Sequence, residues 1–188
     1  MRVLVACEYS GEVRRAFRAR GHDAVSCDLL PSLDDSPHHI QGDALSVLRS
    51  QRWDMLLAFP PCQYMTRAGA RWMHPKGGLC PVRHTSMLAA RAFFMSLLNA
   101  DVPHVCVENP TPLRICDLPT HTQAIQPWEH GRQVAARIEA KLSAVSLVRW
   151  PNNGESERWM TRKTNSSRAP GAERTSRYWT CDGGPSRV

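Results

Sequence analysis

The residues with the clearest capacity for chemistry are a cysteine between a double proline and a glutamine, Pro60-Pro61-Cys62-Gln63. They follow Met55-Leu-Leu-Ala-Phe59, an apolar run typical of a buried strand, and the prolines mark its end because they cannot donate ladder hydrogen bonds. Since two prolines stiffen the loop, the Cys62 thiol is predicted to be a fixed nucleophile. The alternative is that Cys62 is a small buried hydrophobe, as cysteine commonly is.

A carboxyl group ends a second apolar strand in the same way, in His104-Val-Cys-Val-Glu108, and Asn109-Pro110 follows it. If both strands belong to one parallel sheet, Cys62 and Glu108 converge at its carboxyl edge. A thiol paired with an acid suits covalent catalysis on a heteroaromatic ring. The thiolate adds to one carbon while the carboxyl group protonates or hydrogen-bonds a ring nitrogen. The alternative for Glu108 is a salt-bridged strand terminus.

The elements that must position these residues alternate between strands and helices. Strands are predicted at Arg2–Ala6, Ala24–Cys27, His39–Gln41, Met55–Phe59 and His104–Glu108. Helices are predicted at Glu12–Arg20, Leu45–Arg52 and Thr85–Leu98, and in the first of them Arg14, Arg15 and Arg18 are expected to face solvent. This alternation predicts an α/β fold with a doubly wound, mostly parallel sheet and helices on both faces, in a three-layer sandwich.

Size and composition favour one domain. The chain has 188 residues, of which 42% are hydrophobic and 22% charged, enough for one sizeable core and too few for two ordinary domains. Its net charge of +7 favours polyanionic partners such as nucleic acid, without distinguishing DNA from RNA or a nucleotide. The seven cysteines form no Cys-x-x-Cys pair, and we find no leader or membrane-length apolar run. This predicts a reduced cytoplasmic compartment, no membrane association and no structural metal.

The composition changes after Trp150. Residues 151–188 contain turn-forming Asn, Ser, Gly and Pro clusters, few apolar residues at regular spacing, and a net charge of +3 from seven cations and four carboxylates. We therefore expect residues 1–150 to form the folded domain and residues 151–188 to form a basic, loop-rich tail.

The order of these features resembles that of the cytosine-5 DNA methyltransferases, which use S-adenosylmethionine (SAM). Pro60-Pro61-Cys62-Gln63 is similar to the family's proline–cysteine nucleophile motif, and Glu108-Asn109-Pro110 to its glutamate–asparagine motif, ordinarily followed by valine. Ala6-Cys-Glu-Tyr-Ser-Gly11 stands in the place of the glycine-rich first motif, Asp28 in that of the acid after the second strand, and Gly42-Asp43 in that of the third motif. These five collinear matches lie within the first two thirds of the chain.

The resemblance implies a catalytic domain of the SAM-dependent methyltransferase (Rossmann-like) type that methylates carbon 5 of cytosine in DNA. Cys62 would add to carbon 6 while Glu108 assists at ring nitrogen 3, and the resulting enamine would take the methyl group. Loss of the carbon 5 proton would then expel the cysteine. Arg137 is the candidate for the family's oxyanion-contacting arginine. A cytosine in duplex DNA would have to be flipped out of the stack to reach such a pocket.

The resemblance also implies a SAM site along the first strands. The set it implies is Ala6, Cys7, Glu8, Gly11, Asp28, Asp43 and Pro60. In this set Gly11 would let the backbone approach SAM, Asp28 would accept hydrogen bonds from the ribose hydroxyls, and Asp43 would face the adenine amino group. The alternatives are a tight turn or helix N-terminus at Gly11 and solvated loop acids at Asp28 and Asp43.

The chain also departs from the family's pattern in its first motif and in its size. Cys7 stands where phenylalanine is usual and Tyr9 replaces a glycine, which weakens the expectation of SAM affinity. The chain also has no room for the target-recognition domain that reads bases in longer relatives, so it is most similar to compact phage- or prophage-associated members. The loop from Met65 to Arg83 and the basic tail would then hold the DNA. The alternative interpretation of the Met65–Arg83 segment is a solvated loop without a binding role. This loop mixes cations with an aromatic: Arg67, Arg71, Trp72, His74, Lys76 and Arg83.

Two other functions fit the same residues. A free cytosine nucleotide as substrate would remove the need for a recognition domain. The altered first motif also allows a catalytically inactive protein of the same fold that binds DNA or a protein partner.

Overall fold

The computed structural model describes residues 1–125 and 144–149. Over these ranges seven strands form one sheet, and the first five of them are parallel to one another. The strands are β1 (Arg2–Ala6), β2 (Asp23–Asp28), β3 (His39–Gln41), β4 (Met55–Ala58), β5 (His104–Pro110), β6 (Gln123–Ile125) and β7 (Ala144–Arg149).

Helices connect the parallel strands. The helix α1 (Glu12–Arg18) lies between β1 and β2, and α2 (Ala44–Ser50) lies between β3 and β4. The long connection from β4 to β5 contains the short helix α3 (Ala70–Met73) and the 18-residue helix α4 (Pro81–Leu98). Short 3₁₀ turns lie at Arg67–Gly69, Pro75–Gly77 and Arg114–Cys116. Within the described ranges, no helix is both long and apolar enough to span a bilayer.

The sheet order is β3-β2-β1-β4-β5-β7-β6, with β1 between β2 and β4. From β1 the chain adds β2 and β3 on one side, and it then adds β4 and β5 on the other. The winding direction therefore reverses between β1 and β4. In open parallel sheets ligands bind at such a reversal, beyond the carboxyl ends of the strands. On the far side, β7 pairs antiparallel with both β5 and β6.

Both sides of β1 are covered, which explains its uninterrupted apolar sequence. Val3 and Val5 belong to a cluster against which Phe17 of α1 packs. Leu4, between them, belongs to a larger cluster that includes Phe94 of α4. Fully burying one such side chain stabilises the fold by about 1.5–3 kcal/mol. The burial of β1 on both faces therefore fixes the position at which the following loop begins.

The α/β class, the parallel pairing of five strands and the positions of three helices are confirmed. Several element boundaries differ from the prediction, those of β2, α2 and β4 by one or two residues. The helix α1 ends earlier, at Arg18, and α4 begins earlier, at Pro81, because a proline fits the first helical turn, where its missing N–H is not needed. The strand β5 continues to Pro110 because β7 pairs with it. The sequence analysis does not predict α3, β6 or β7.

The prediction that Arg14 faces solvent is wrong. Its side chain is 1% exposed, since Nη1 donates to Ser26 Oγ on β2 at 2.7 Å and Nη2 donates to Asp34 in the loop between β2 and β3. Arg15 donates to the same carboxylate at 2.7 Å. The hydrogen bond from Arg14 holds the pKa of Asp34 well below its usual range. A buried cation needs such a partner, and helical periodicity carries no information about a partner in a later loop.

Candidate active site

The Cys62 thiol lies just beyond the carboxyl end of β4. The Phe59 N–H donates to the Ala6 carbonyl at 3.0 Å and extends the β1–β4 pairing by one residue. Pro60, which is buried, and Pro61 then end that pairing because neither carries an N–H. The Cys62 carbonyl accepts hydrogen bonds from the next turn, whose amides lie 2.9 and 3.1 Å away. The chain therefore turns directly after Cys62 and holds it at the edge of the sheet.

Glu108 lies on β5, the neighbour of β4. Because Ala58 of β4 is level with Val107 of β5, Glu108 lies one residue beyond the end of β4. The loops that follow the two strands are also joined. Thr66 forms an isolated antiparallel bridge with Pro112, and two backbone hydrogen bonds of 3.0 and 2.7 Å flank it. The backbone after the thiol is thus fastened to the backbone after the carboxyl group.

The ionisation of the two groups is coupled. Burial raises the pKa of Glu108 from 4.5 to about 7. Burial also raises the pKa of the Cys62 thiol, and the negative charge of Glu108 raises it further. At neutral pH the thiol is therefore protonated, and a large fraction of the Glu108 carboxyl group is protonated as well. Such a carboxyl group can donate a proton to a bound base, whereas the thiol must lose its proton as it attacks.

A second thiol, which the sequence analysis does not single out, also lies near enough to this carboxyl group to respond to its charge. Burial raises the pKa of Cys106 to about 11, and the charge of Glu108 contributes to the rise. The signal available in the sequence is the two-residue spacing, which puts Cys106 and Glu108 on the same face of β5. Cys106 lies within the strand and Cys62 lies in a loop, so the two thiols provide a matched pair for experiments.

Acidic side chains gather at the carboxyl ends of β1 and β2 and after β3. Burial raises the pKa of Cys7 to about 12, and the charges of Asp28, Cys27 and Asp43 raise it further, which shows that these groups lie near one another. Asp28 Oδ1 accepts the Leu30 N–H at 2.9 Å. The structure thus brings together three residues of the predicted SAM site, Cys7, Asp28 and Asp43.

Glu8 is the most deeply buried acid at this edge, with 7% of its surface exposed. Its Oε1 atom accepts hydrogen bonds from Ser10 Oγ at 2.7 Å and from the Val13 N–H at 3.3 Å, so it caps the first turn of α1. Its Oε2 atom is buried and has no hydrogen-bond partner among the described residues. A buried carboxylate oxygen without a partner is costly. Glu8 Oε2 is therefore an acceptor that a hydrogen-bond donor placed beside it would satisfy.

Two of the predicted cofactor residues have structural tasks. Asp43 is the N-cap of α2, and its Oδ2 accepts hydrogen bonds from the N–H and the hydroxyl of Ser46, both at 2.8 Å. Gly11 precedes α1 with φ of 76°, in the left-handed region. A Cβ atom there would lie 2.5 Å from Arg14 Nη2 and 2.8 Å from Asp34 Oδ2. A glycine is thus required at this position by the buried ion pair as well as by the backbone conformation.

The remaining predictions lie partly outside the described residues. Arg137 and the tail at 151–188 belong to the part of the chain that the structure does not describe. Across residues 1–125 and 144–149, no group of His, Cys, Asp and Glu side chains is arranged to hold a metal ion. No protein-family model matches the chain, and no curated protein is significantly similar to it in sequence.

Proposed function

We propose that this protein is a SAM-dependent methyltransferase that methylates carbon 5 of cytosine in DNA through a covalent adduct with Cys62. The observation that carries the proposal is a thiol held by its loop beside a half-buried, protonatable carboxyl group at the carboxyl edge of a parallel sheet. Burial brings the pKa of Glu108 to about 7, where a carboxyl group can act as an acid at neutral pH.

The chemistry follows from these two groups. After the Cys62 thiol loses its proton to solvent, the sulfur forms a bond to carbon 6 of cytosine, and Glu108 transfers its proton to ring nitrogen 3. The electrons of the former double bond then reside at carbon 5, which forms a bond to the methyl group. SAM, when bound, would supply that methyl group as an electrophile, and its sulfur would keep the electron pair of the broken sulfur–methyl bond as a neutral thioether. Loss of the carbon 5 proton to solvent then restores the double bond and expels the thiolate, and nitrogen 3 returns its proton to Glu108.

The acidic edge fits SAM better than a dinucleotide. A pyrophosphate would bind at the N-terminus of α1, but the Glu8 carboxylate already caps that turn. Asp28 and Asp43 add further negative charge nearby. SAM carries ribose hydroxyls, amino groups and a positively charged sulfonium, all of which suit carboxylates. Glu8, Asp28 and Asp43 would hold these groups, with Ala6, Cys7 and Pro60 lining the site.

The fold supports the same proposal. The order β3-β2-β1-β4-β5, with the winding reversal between β1 and β4, is compatible with a Rossmann-like sheet. The cluster that contains α1 residues and the cluster that contains α4 residues take alternate side chains of β1. These clusters support a three-layer arrangement of the SAM-dependent methyltransferase type.

The DNA substrate is supported by charge and by the loop after Cys62. The net charge of +7 favours a polyanion. Trp72 is 37% exposed, and the Arg71 guanidinium lies 4.7 Å from the centre of its ring. An exposed aromatic beside a cation can stack on a base and contact a phosphate. The neighbouring cation Arg67 is also exposed.

The proposal is tested by trapping on 5-fluorocytosine. Fluorine cannot leave carbon 5 as the proton does, so the adduct persists once the methyl group has been transferred. The full chain is incubated with SAM and 5-fluorocytosine in duplex DNA, in single-stranded DNA or as the free deoxynucleotide. We expect a denaturation-resistant adduct with DNA, located on Cys62 by peptide mass spectrometry.

Two variants make the test specific. Cys62→Ser should abolish the adduct and turnover while SAM binding, measured by calorimetry, stays nearly intact. Cys106→Ser is the matched control, because this sulfur also lies near Glu108. The variant should retain the adduct, because Cys62 is still present. Turnover by Cys62→Ser, or an adduct on Cys106, would remove Cys62 from the mechanism. An adduct with the free nucleotide alone would make that the substrate, and no adduct with any of them would favour a binding protein.

A further inference from the structure

Arg83 is less exposed than Arg67 and Arg71, the exposed arginines that precede it. Although it lies in the first turn of α4, its Nη2 atom donates to the Gln63 carbonyl at 3.0 Å. Its Cζ atom lies 4.9 Å from the centre of the Tyr64 ring. Gln63 and Tyr64 directly follow Cys62, so a single guanidinium contacts both of the residues after the thiol.

The site of Arg83 is unfavourable for a cation unless these contacts offset the cost. Positive charge in the first turn opposes the helix dipole, and this turn of α4 contains no acidic residue. The Nε atom of Arg83 is buried and has no hydrogen-bond partner among the described residues. A cation whose task was to contact phosphate would gain from full exposure. Arg83 is instead partly desolvated against the loop that carries Cys62.

The surrounding chain is built around this contact. A Cβ atom at Gly69 would lie 2.9 Å from the Gln63 carbonyl oxygen and 3.0 Å from Arg83 Nη2. The backbone at Gly69 therefore lies directly against the hydrogen bond. The helix that carries Arg83 is anchored in the core, where Met87 and Phe94 are fully buried. Arg83 thus connects a rigid element to the loop that holds the thiol.

We propose that Arg83 is a positioning residue for Cys62, which holds the backbone after the nucleophile from α4, and that it does not contact DNA phosphate. The inference rests on the proposed role of Cys62 as nucleophile. It also separates Arg83 from the other cations of the Met65–Arg83 segment, which are expected to contact DNA. The pKa of Cys62 is set by burial and by Glu108. Arg83 accordingly affects the position of the Cys62 sulfur and its exposure to solvent.

The first test needs no catalytic activity. The full-length protein is treated with iodoacetamide across a pH series, and the rate of Cys62 alkylation is followed by peptide mass spectrometry. Arg83→Met removes the donor and the stacking plane, so the loop should loosen, the alkylation rate should rise several-fold, and its pH midpoint should fall towards the ordinary thiol range. Arg83→Lys, which keeps one donor, should give an intermediate rate. Arg71→Met, the matched control in the same segment, should alkylate as the wild type does.

The second test separates positioning from phosphate contact. Each phosphate contact contributes about 0.9 to the slope of log K against log salt on duplex DNA. Arg71→Met should lower the slope by about that amount, whereas Arg83→Met should leave the slope and the KM for DNA unchanged. The kcat of Arg83→Met should fall by about 100-fold, which is the loss expected when a reacting atom is misplaced by about 1 Å.

Two results would overturn the inference. One is wild-type Cys62 alkylation in both Arg83 variants, and the other is a salt slope lowered by Arg83→Met. Far-UV circular dichroism and urea midpoints show whether Arg83→Met is folded, and Arg83→Lys decides the question if it is not. If the wild type transfers no methyl group, the proposed function fails, and the alkylation rates still decide whether Arg83 holds the loop.

Discussion

Replacing Glu108 with glutamine should stabilise the protein at alkaline pH, although the proposed mechanism makes this residue the acid of the reaction. Burial raises the pKa of Glu108 from its ordinary 4.5 to about 7. Each unit of that difference corresponds to about 1.36 kcal/mol between the two protonation states. Ionised Glu108 should therefore lower the free energy of unfolding by about 3 kcal/mol once the pH exceeds both values.

Whether Glu108 lowers the free energy of unfolding at a given pH depends on whether the folded or the unfolded chain holds the proton. Below pH 4.5 the carboxyl group is protonated in the folded and the unfolded chain, so it has no effect on the pH dependence. Between pH 4.5 and about 7 the unfolded chain ionises while the folded chain keeps the proton, so the free energy of unfolding falls as the pH rises. Glutamine cannot ionise. The advantage of Glu108→Gln should thus grow through this window and level off above it.

The measurement is urea unfolding, followed by tryptophan fluorescence, of wild type and Glu108→Gln between pH 5 and pH 8. The difference in unfolding free energy should increase by about 2–3 kcal/mol across that range. Glu12→Gln is the control, because the Glu12 side chain is 76% exposed. Its difference from wild type should stay nearly constant. A constant difference for Glu108→Gln as well would mean that this carboxyl group is not buried in the folded protein, and the case for it as a neutral-pH acid would be lost.

Substitutions at Gly11 and Asp43, two residues of the predicted SAM site, test the structural tasks of these residues. Gly11→Ala should destabilise the fold by well over the ~1 kcal/mol of a left-handed alanine, because its Cβ atom would lie 2.5 Å from Arg14 Nη2. Gly21→Ala, with φ of 80° and no atom within 4 Å of its Cβ, should show the backbone cost alone, and equal losses in urea unfolding would contradict this reading of Gly11. Asp43→Ala should cost about 1 kcal/mol of helix capping, and Asp43→Ser should restore most of that stability. If Asp43 also holds SAM, calorimetry should find reduced SAM affinity in both variants, whereas normal affinity in Asp43→Ser would leave only the capping role.

The stability lost when Glu108 ionises is consistent with its proposed role as an acid. A carboxyl group left in water would be ionised at neutral pH and could not donate a proton to a base. Partial burial on β5 keeps the proton available, at a cost to stability above pH 7. The same burial keeps the Cys62 thiol protonated. The free protein would then hold its nucleophile in the unreactive form, and attack would require a bound substrate.

The candidate site was predictable because its residues end apolar strands. Cys62 and Glu108 each follow such a run, and parallel neighbours end at the same edge of a sheet. The same reasoning applies to Asp28, which ends β2. Such patterns can be recognised locally, because a strand that is buried on both faces has an almost continuous apolar sequence.

The partners of Arg14 and Arg83 were not predictable in this way. Arg14 lies in α1 at a position predicted to face solvent, yet Ser26 and Asp34 bind its guanidinium. Arg83 reads as one cation of a basic loop, yet its guanidinium donates to the carbonyl of Gln63. Each partner lies many residues away in the chain, and periodicity describes only the element in which a residue lies.

The amino-acid sequence by itself determined the five parallel strands, their carboxyl-edge loops and the kinds of side chain those loops present, because backbone propensity and hydrophobic period act over a few residues. Only the tertiary structure decided the ionisation of Glu108 and Cys62, the task of Gly11, and the inward turn of Arg14 and Arg83. These properties depend on desolvation and on pairing with distant groups, and both arise only when the chain is folded.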